Sequence, residues 1–367
     1  MKHFVDERKT LIVDGPASVS LISGRVTVLG TPLHVEEKVV VREGKRLPLF
    51  VKKKSTLELM LGEGASVTEI DNGAVPNSWE NAAKEILSLN KPVTVMVLGC
   101  MDSGKTSFCT FLLNEAVTNK CKTCVVDADL GQSDVGPPST VGVTFVTETV
   151  KDLFDVDAED AVFVGCTNPS GALNKLVKGL TQLKKRLTEK GVELLVINTD
   201  GWVNGDEASA YKVRLAEKVA PTVVVGMQRE NELAPILDEL HGVKVFVVDS
   251  PQPIQPRSRE KRKLLRELSY KKYMKGAKLQ SFSLGWLKAE DSIFGVGVPL
   301  SRKRFWDLSD LLGKQPIYSE ETVAAIFAVL KNSEYISVSP VLGSQVRFTA
   351  FPFVYGVALK LPGGVGR

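Results

Sequence analysis

A chain of 367 residues with 43% hydrophobic and 25% charged residues has room for two or three domains with full cores. Its net charge of +4 is too small to announce an anionic partner, and no stretch of eighteen consecutive apolar residues predicts a membrane-spanning helix. Met1 to Lys9 holds no apolar signal core and the five cysteines lack framework spacing, so a soluble cytoplasmic protein without disulfides is expected.

Short strand-like runs fill residues 1 to about 70: Thr10–Val13, Ser18–Ile22, Arg25–Leu29, Glu37–Arg42, Leu47–Val51 and Thr56–Leu61. Turn residues separate them, as in a small all-β sandwich or barrel. Asn77 to Leu89 reads as a connecting helix, with Ser78 as a candidate N-cap and Pro92 closing the connection. From 93 to about 250 strands alternate with helices, at Val93–Leu98, Thr123–Asp127, Asp160–Val164, Leu194–Asn198, Thr222–Val225 and Val243–Val248, with helices over Leu173–Lys190 and Glu207–Val219. That order predicts an α/β domain whose mostly parallel sheet is covered by helices and binds ligands at the carboxyl ends of its strands. Residues 256–278 carry ten Lys/Arg against two Glu, a basic and partly helical stretch suited to an anion. Beyond it, runs at Glu334–Val338, Gln345–Thr349 and Gly356–Leu361 and a helix around Ser319–Lys331 predict a small β-rich or α+β domain. The resulting plan is an N-terminal β domain (1–75), a linker helix (76–92), a P-loop domain with a basic lid (93–278, lid 256–278) and a C-terminal domain (279–367).

The most informative stretch is Gly99-Cys100-Met101-Asp102-Ser103-Gly104-Lys105-Thr106-Ser107, which fits G-x-x-x-x-G-K-[ST] between a strand and a helix. Such a loop aims backbone N–H groups and a helix N-terminus at phosphate oxygens. Lys105 reaches the β- and γ-phosphates, and the Thr106 hydroxyl suits Mg²⁺. The next strand ends in Asp127-Ala128-Asp129, two carboxylates at i and i+2 that share one side of an extended backbone. One serves a metal or its waters; the other can accept a proton from an attacking hydroxyl or from water, so the pair alone leaves kinase and ATPase both open. A GTPase is disfavoured, because Gly226 to Asn231 stands where Asn-Lys-x-Asp belongs; a ParA-like ATPase lacks its second lysine at Gly99 to Met101. Cys121-Lys122-Thr123-Cys124 has no second pair or histidines to complete a zinc site and reads as incidental cysteines beside a strand.

The P-loop, Asp127 to Gln132, Gly165 to Gly171, Asn198 to Gly205 and Arg257 to Arg262 occur in an order that resembles the polynucleotide 5′-hydroxyl kinases related to the kinase subunit of the pre-mRNA cleavage factor, in their shorter archaeal form. The resemblance implies an ATP- and Mg²⁺-dependent transfer of the γ-phosphoryl to the 5′-hydroxyl of single-stranded RNA, the favoured acceptor, or DNA, with protein partners in RNA processing. It implies that Asp129 faces the hydroxyl and supports the metal with Thr106 and Asp127. Arg257 and Arg262 would close from the lid. Trp202 would stack on a nucleobase, with Gln132, Thr167 and Pro169 at the terminal nucleotide and the N-terminal domain at adenine; the motifs do not single out the adenine contact, for which Arg46 is only a candidate. The alternatives are an ATP-binding structural subunit without turnover and a P-loop ATPase without an acceptor.

Overall fold

From Arg46 to Leu61 every second side chain is apolar for long stretches, and Leu47, Leu49, Val51, Leu57 and Leu59 are buried. This period of two makes one long strand the spine of the N-terminal region. The computed structural model describes residues 1–71, 73, 75–252, 256–276, 298–312, 315–321, 326–330, 334–340 and 346–352. Its contacts divide into two bodies, Met1–Lys275 and Gly276–Leu359.

In the first body, β1 (Lys2–Val5), β2 (Lys9–Asp14), β3 (Ala17–Val28), β4 (Thr31–Leu33), β5 (Lys38–Val41), β6 (Arg46–Leu61) and β7 (Ser66–Asp71) form an antiparallel sheet. Its order is β4-β3-β6-β2-β7, with β1 added to β6 and β5 to β3. Two expected strand pairs are thereby fused: Ser18–Ile22 with Arg25–Leu29, and Leu47–Val51 with Thr56–Leu61. Gly24 looked like a turn, but its φ of +104° sits in a run of register shifts against β6, so it bends the strand instead of ending it.

Helix α1 (Asn77–Ser88) follows, with Pro76 as its N-cap. Ser78 does not cap it: its hydroxyl donates to Asp249 Oδ2 at 2.7 Å and accepts from the Asp249 N–H at 3.1 Å, which fastens the helix to a sheet edge. The chain continues through β8 (Val93–Gly99), α2 (Lys105–Thr118), β9 (Thr123–Ala128), β10 (Thr140–Val146), β11 (Asp160–Phe163), α3 (Leu173–Glu189), β12 (Leu194–Thr199), α4 (Asp206–Val219), β13 (Val223–Gln228), α5 (Ala234–Leu237), β14 (Lys244–Asp249) and α6 (Arg259–Met274). The central sheet has the order β11-β10-β9-β12-β8-β13-β14. Strands β9 to β14 in that order are parallel, while β10 and β11 run antiparallel at one edge.

Helices cover both faces of this sheet. On one face Trp79, Phe108, Leu112 and Val95 share a core with Leu11, Leu49 and Val28 of the N-terminal sheet. On the other, Leu176, Leu180 and Leu183 of α3 and Leu215 of α4 cover Met96, Val126 and Ile197. The carboxyl ends of β8, β9 and β12 are adjacent, and the register sets Asn198 beside both Asp127 and Val97. Among the described residues no helix is long and apolar enough to cross a membrane.

The second body has β15 (Val298–Pro299), α7 (Arg302–Leu312), β16 (Pro316–Glu321), β17 (Ile326–Leu330), β18 (Glu334–Pro340) and β19 (Val346–Pro352), an antiparallel sheet in chain order. The helix expected around Ser319–Lys331 is not there: β16 and β17 pair across it, Ser319 opposite Ala328. The five apolar residues from Ile326 to Leu330 fit a buried strand as well as a helix segment, and tertiary pairing decides between them. Gly356–Leu361 lies outside the described residues.

Candidate active site

Strand β8 is buried along its whole length and delivers Gly99 to the sheet edge. A Cβ there would lie 2.7 Å from the Met227 carbonyl and 2.6 Å from Ser103 Oγ. Gly104, with φ +103°, turns the chain into α2 beside Pro251. Packing against protein thus already demands these glycines, before any phosphate is considered. The loop ends at the N-terminus of a helix with no side-chain cap, leaving its first N–H groups for an anion. Lys105 is buried; its amine donates to the carbonyls of Gly99 (2.9 Å) and Cys100 (2.7 Å). Burial pulls its pKa down, against Asp129.

A cavity of about 720 Å³ opens above this loop. Met101 to Ser107 line it, together with Asp129, Gln132, Thr167, Pro169, Trp202, Arg257 and Arg262. Residues from five separate stretches therefore meet at one place. Arg46 lines it too, held by Asp14 through Nε at 2.7 Å and a terminal nitrogen at 2.9 Å. Ile12, Leu29 and Pro48 give that wall an apolar surface. Gly99, Cys100 and Asp127 lie behind the lining.

The two acidic residues differ sharply. Asp127 is fully buried, and its oxygens accept from the backbone N–H groups of Asp129 (3.2 Å), Asp134 (2.7 Å) and Val135 (3.2 Å), from Ser133 Oγ (3.2 Å) and from Asn198 Nδ2 (3.1 Å). Burial, then the charges of Asp134 and Asp129, push it up to about 7 against the pull of those backbone donors. Its side chain organises the loop that follows β9. Asp129 is half-buried on the cavity; one oxygen accepts from the N–H groups of Gly131 (3.1 Å) and Gln132 (2.9 Å). Burial and then Asp200 raise its pKa, with Lys105 opposing.

Several participants were not singled out from sequence. Asn198 Nδ2 also donates to Thr106 Oγ1 at 3.3 Å, so one amide joins the P-loop hydroxyl to Asp127. Asp200 accepts from the Trp202 N–H (2.9 Å), the Tyr211 hydroxyl (2.8 Å) and the amine of fully buried Lys212 (2.9 Å). Tyr211 stacks on Trp202 with centroids 5.8 Å apart and planes 26° apart. A signal existed: Ala208, Tyr211, Lys212, Leu215, Ala216 and Val219 are the buried stripe of α4. A lysine on that stripe requires an anion beneath it.

The lid is docked. Lys272 donates to the carbonyls of Phe154 (2.9 Å) and Val156 (2.5 Å), Ser269 to that of Gly136 (3.2 Å), and Tyr273 accepts from the Gly136 N–H (2.7 Å). Gln132 Nε2 donates to the Arg262 carbonyl at 3.1 Å. Opposite, Lys45 pairs with Asp134 and with Asp152 (3.2 Å), and Arg42 with Asp152 (3.5 Å) and Asp155 (2.5 Å).

The arrangement has relatives. The family model described as mRNA cleavage and polyadenylation factor CLP1 P-loop matches residues 99–276. A polyribonucleotide 5′-hydroxyl-kinase of Pyrococcus horikoshii is 29% identical over 226 residues, 62% of this chain and 62% of that protein. The polyribonucleotide 5′-hydroxyl-kinase Clp1 of Xenopus tropicalis is 28% identical over 320 residues, 80% of this chain and 72% of that one. Among solved structures, the wild-type Clp1p–Pcf11p complex has a chain with a TM-score of 0.63 at 14% identity, covering 77% of this chain and 74% of its own length. That last likeness concerns the fold.

Proposed function

We propose that the protein, whose residues 99–276 match the CLP1 P-loop model, transfers the γ-phosphoryl of ATP to the 5′-hydroxyl of single-stranded RNA or DNA, RNA being preferred. The observation that carries this reading is the single cavity shared by the P-loop, Asp129, Trp202 and the two lid arginines. A plain ATPase needs the loop and an acid, but no aromatic platform for a base. The names of the archaeal and frog relatives agree with it. A protein partner in RNA processing belongs to the same reading, as in the Clp1p–Pcf11p complex.

In this mechanism α2 and Lys105 hold the triphosphate, and the purine rests on the apolar wall beside the Asp14–Arg46 pair. Trp202, stiffened by Tyr211 and Asp200, supports the terminal base, with Gln132, Thr167 and Pro169 around it. The 5′-oxygen forms its bond to the γ-phosphorus as the bond to the bridging oxygen breaks and ADP leaves. The hydroxyl proton passes to Asp129, the one of the two carboxylates that faces the cavity. Arg257 and Arg262 face the charge that spreads over the transferring group.

A hard divalent cation fits the oxygens present. Thr106 Oγ1 and Asp129 are hard donors, and Asn198 Oδ1 is buried without a hydrogen-bond partner among the described residues. Asp127, with both oxygens committed, would serve such an ion through water. When bound, the ion neutralises charge on the phosphates.

Purified protein incubated with γ-labelled ATP and matched 5′-hydroxyl RNA and DNA oligomers tests the reading. The parent should label both, RNA faster, and Lys105→Ala should lose about 10²–10³-fold in rate. Hydrolysis of ATP with no label on either oligomer would replace it with the ATPase reading.

A further inference from the structure

The P-loop carries one side chain that its phosphate-binding duty leaves unexplained. Asp102 stands at the tip of the loop with φ +58°, its side chain 12% exposed. Its Oδ2 accepts from the backbone N–H of Arg257 at 2.9 Å, and Oδ1 from the Arg257 guanidinium at 3.3 Å. The Arg262 guanidinium lies 3.6 Å from Oδ2. Arg257 Nε meanwhile donates to the Gly44 carbonyl at 3.1 Å. One carboxylate thus sits between both lid arginines and ties them to the phosphate loop.

We propose that Asp102 is a positioning residue that holds Arg257 and Arg262 together over the P-loop so that their remaining N–H groups face the phosphates. Two guanidiniums converging on one cavity repel each other, and a shared anion offsets that repulsion. The contact occupies only one terminal nitrogen of each. A planar guanidinium has five N–H donors, so each keeps an edge for phosphoryl oxygens. The rest of α6 is anchored through Ser269, Lys272 and Tyr273, so Asp102 controls the first turn of the helix and the residues before it.

This inference rests on the kinase reading for its catalytic part, and its structural part can be tested without it. Asp102→Asn is the variant of choice, because asparagine tolerates the left-handed backbone that alanine would strain. First, limited trypsin digestion of nucleotide-free protein is followed at Arg257, Arg259 and Arg262. Cleavage there should accelerate about tenfold in the variant, as expected when an exposed segment loses about 1.4 kcal/mol of local protection. Second, kcat for phosphoryl transfer should fall about 10–100-fold with KM for ATP nearly unchanged, the signature of misplaced transition-state groups. In an Arg257→Ala, Arg262→Ala background the same substitution should change nothing further. Unchanged cleavage, unchanged kcat, or an equal loss in that background would each overturn the proposal. Should the parent transfer no phosphoryl, the kinase reading fails and the digestion alone decides for or against Asp102.

Discussion

Two sets of ion pairs lie at or behind the lining of the same cavity and differ in how much water they see. On the floor, Lys212 and Asp200 are 0% and 6% exposed, and their fields reach Lys105 and Asp129. Beside it, next to the lining residues Lys45 and Asp134, lies an outer rim where Arg42 and Asp155 are 28% and 50% exposed and join the N-terminal sheet to the segment after β10. Buried charge is expensive unless every partner is present, whereas a half-solvated pair is nearly balanced against water. The floor is therefore a fixed electrostatic device beneath Lys105 and Asp129. The rim is a fastening that holds the apolar wall in place.

The largest expected effect breaks the floor where it touches the reaction. Asp129→Asn removes the proposed proton acceptor but keeps an oxygen for the Gly131 and Gln132 N–H groups. Phosphoryl transfer should slow about 10²–10⁴-fold, while the urea midpoint stays near that of the parent. A midpoint that drops along with the rate would make Asp129 a structural acid like Asp127 and erase the distinction between them. Lys212→Ala comes next. It strands Asp200 in a dry site and should cost about 3–5 kcal/mol in urea unfolding. A loss below about 1 kcal/mol would mean that the floor behaves like the rim.

Much of this contrast was legible before any coordinates. The P-loop, the basic lid and the strand-end acids are local patterns of fixed spacing. The central sheet announces itself through long apolar strands alternating with helices. What was hidden depends on register and on long-range partners. Asn198 became a bridge because parallel strands set it beside Asp127, and no local signal carries that. Asp102 looked like one more backbone position until Arg257, 155 residues away, met it. Gly24 and the apolar run from Ile326 misled because a bulge and an all-apolar strand imitate a turn and a helix at short range. Lys212 alone could have been found, as a lysine on an apolar helical stripe.

Trp202 tests how far the floor's order extends into substrate binding. Its backbone N–H donates to Asp200, and Tyr211 stacks on its ring. Trp202→Ala should weaken oligonucleotide binding by about 1–3 kcal/mol, the usual worth of one stacked base. The loss should appear in KM for the oligomer, with little change in KM for ATP. A loss shared equally by both would mean that the indole shapes the cavity as a whole and does not serve the acceptor.

The smallest effect belongs to the rim and is best read through pH. Burial alone would raise Asp152, but Lys45, the Phe154 N–H and Arg42 outweigh it and hold the carboxyl below its usual range. A carboxylate lowered by folding adds stability that is present above its unfolded pKa, near 3.9. That stability fades as the pH falls below this value and through the folded one. Asp152→Asn keeps an acceptor for the Phe154 N–H and loses the charge and the oxygen that faces Arg42, so it should cost about 1 kcal/mol at pH 7. The gap between parent and variant should close as unfolding is followed from pH 5 downward. Lys45 keeps Asp134 in the variant, which limits the loss. A gap that persists at low pH would assign the cost to packing, and the rim would then resemble the floor more than its exposure suggests.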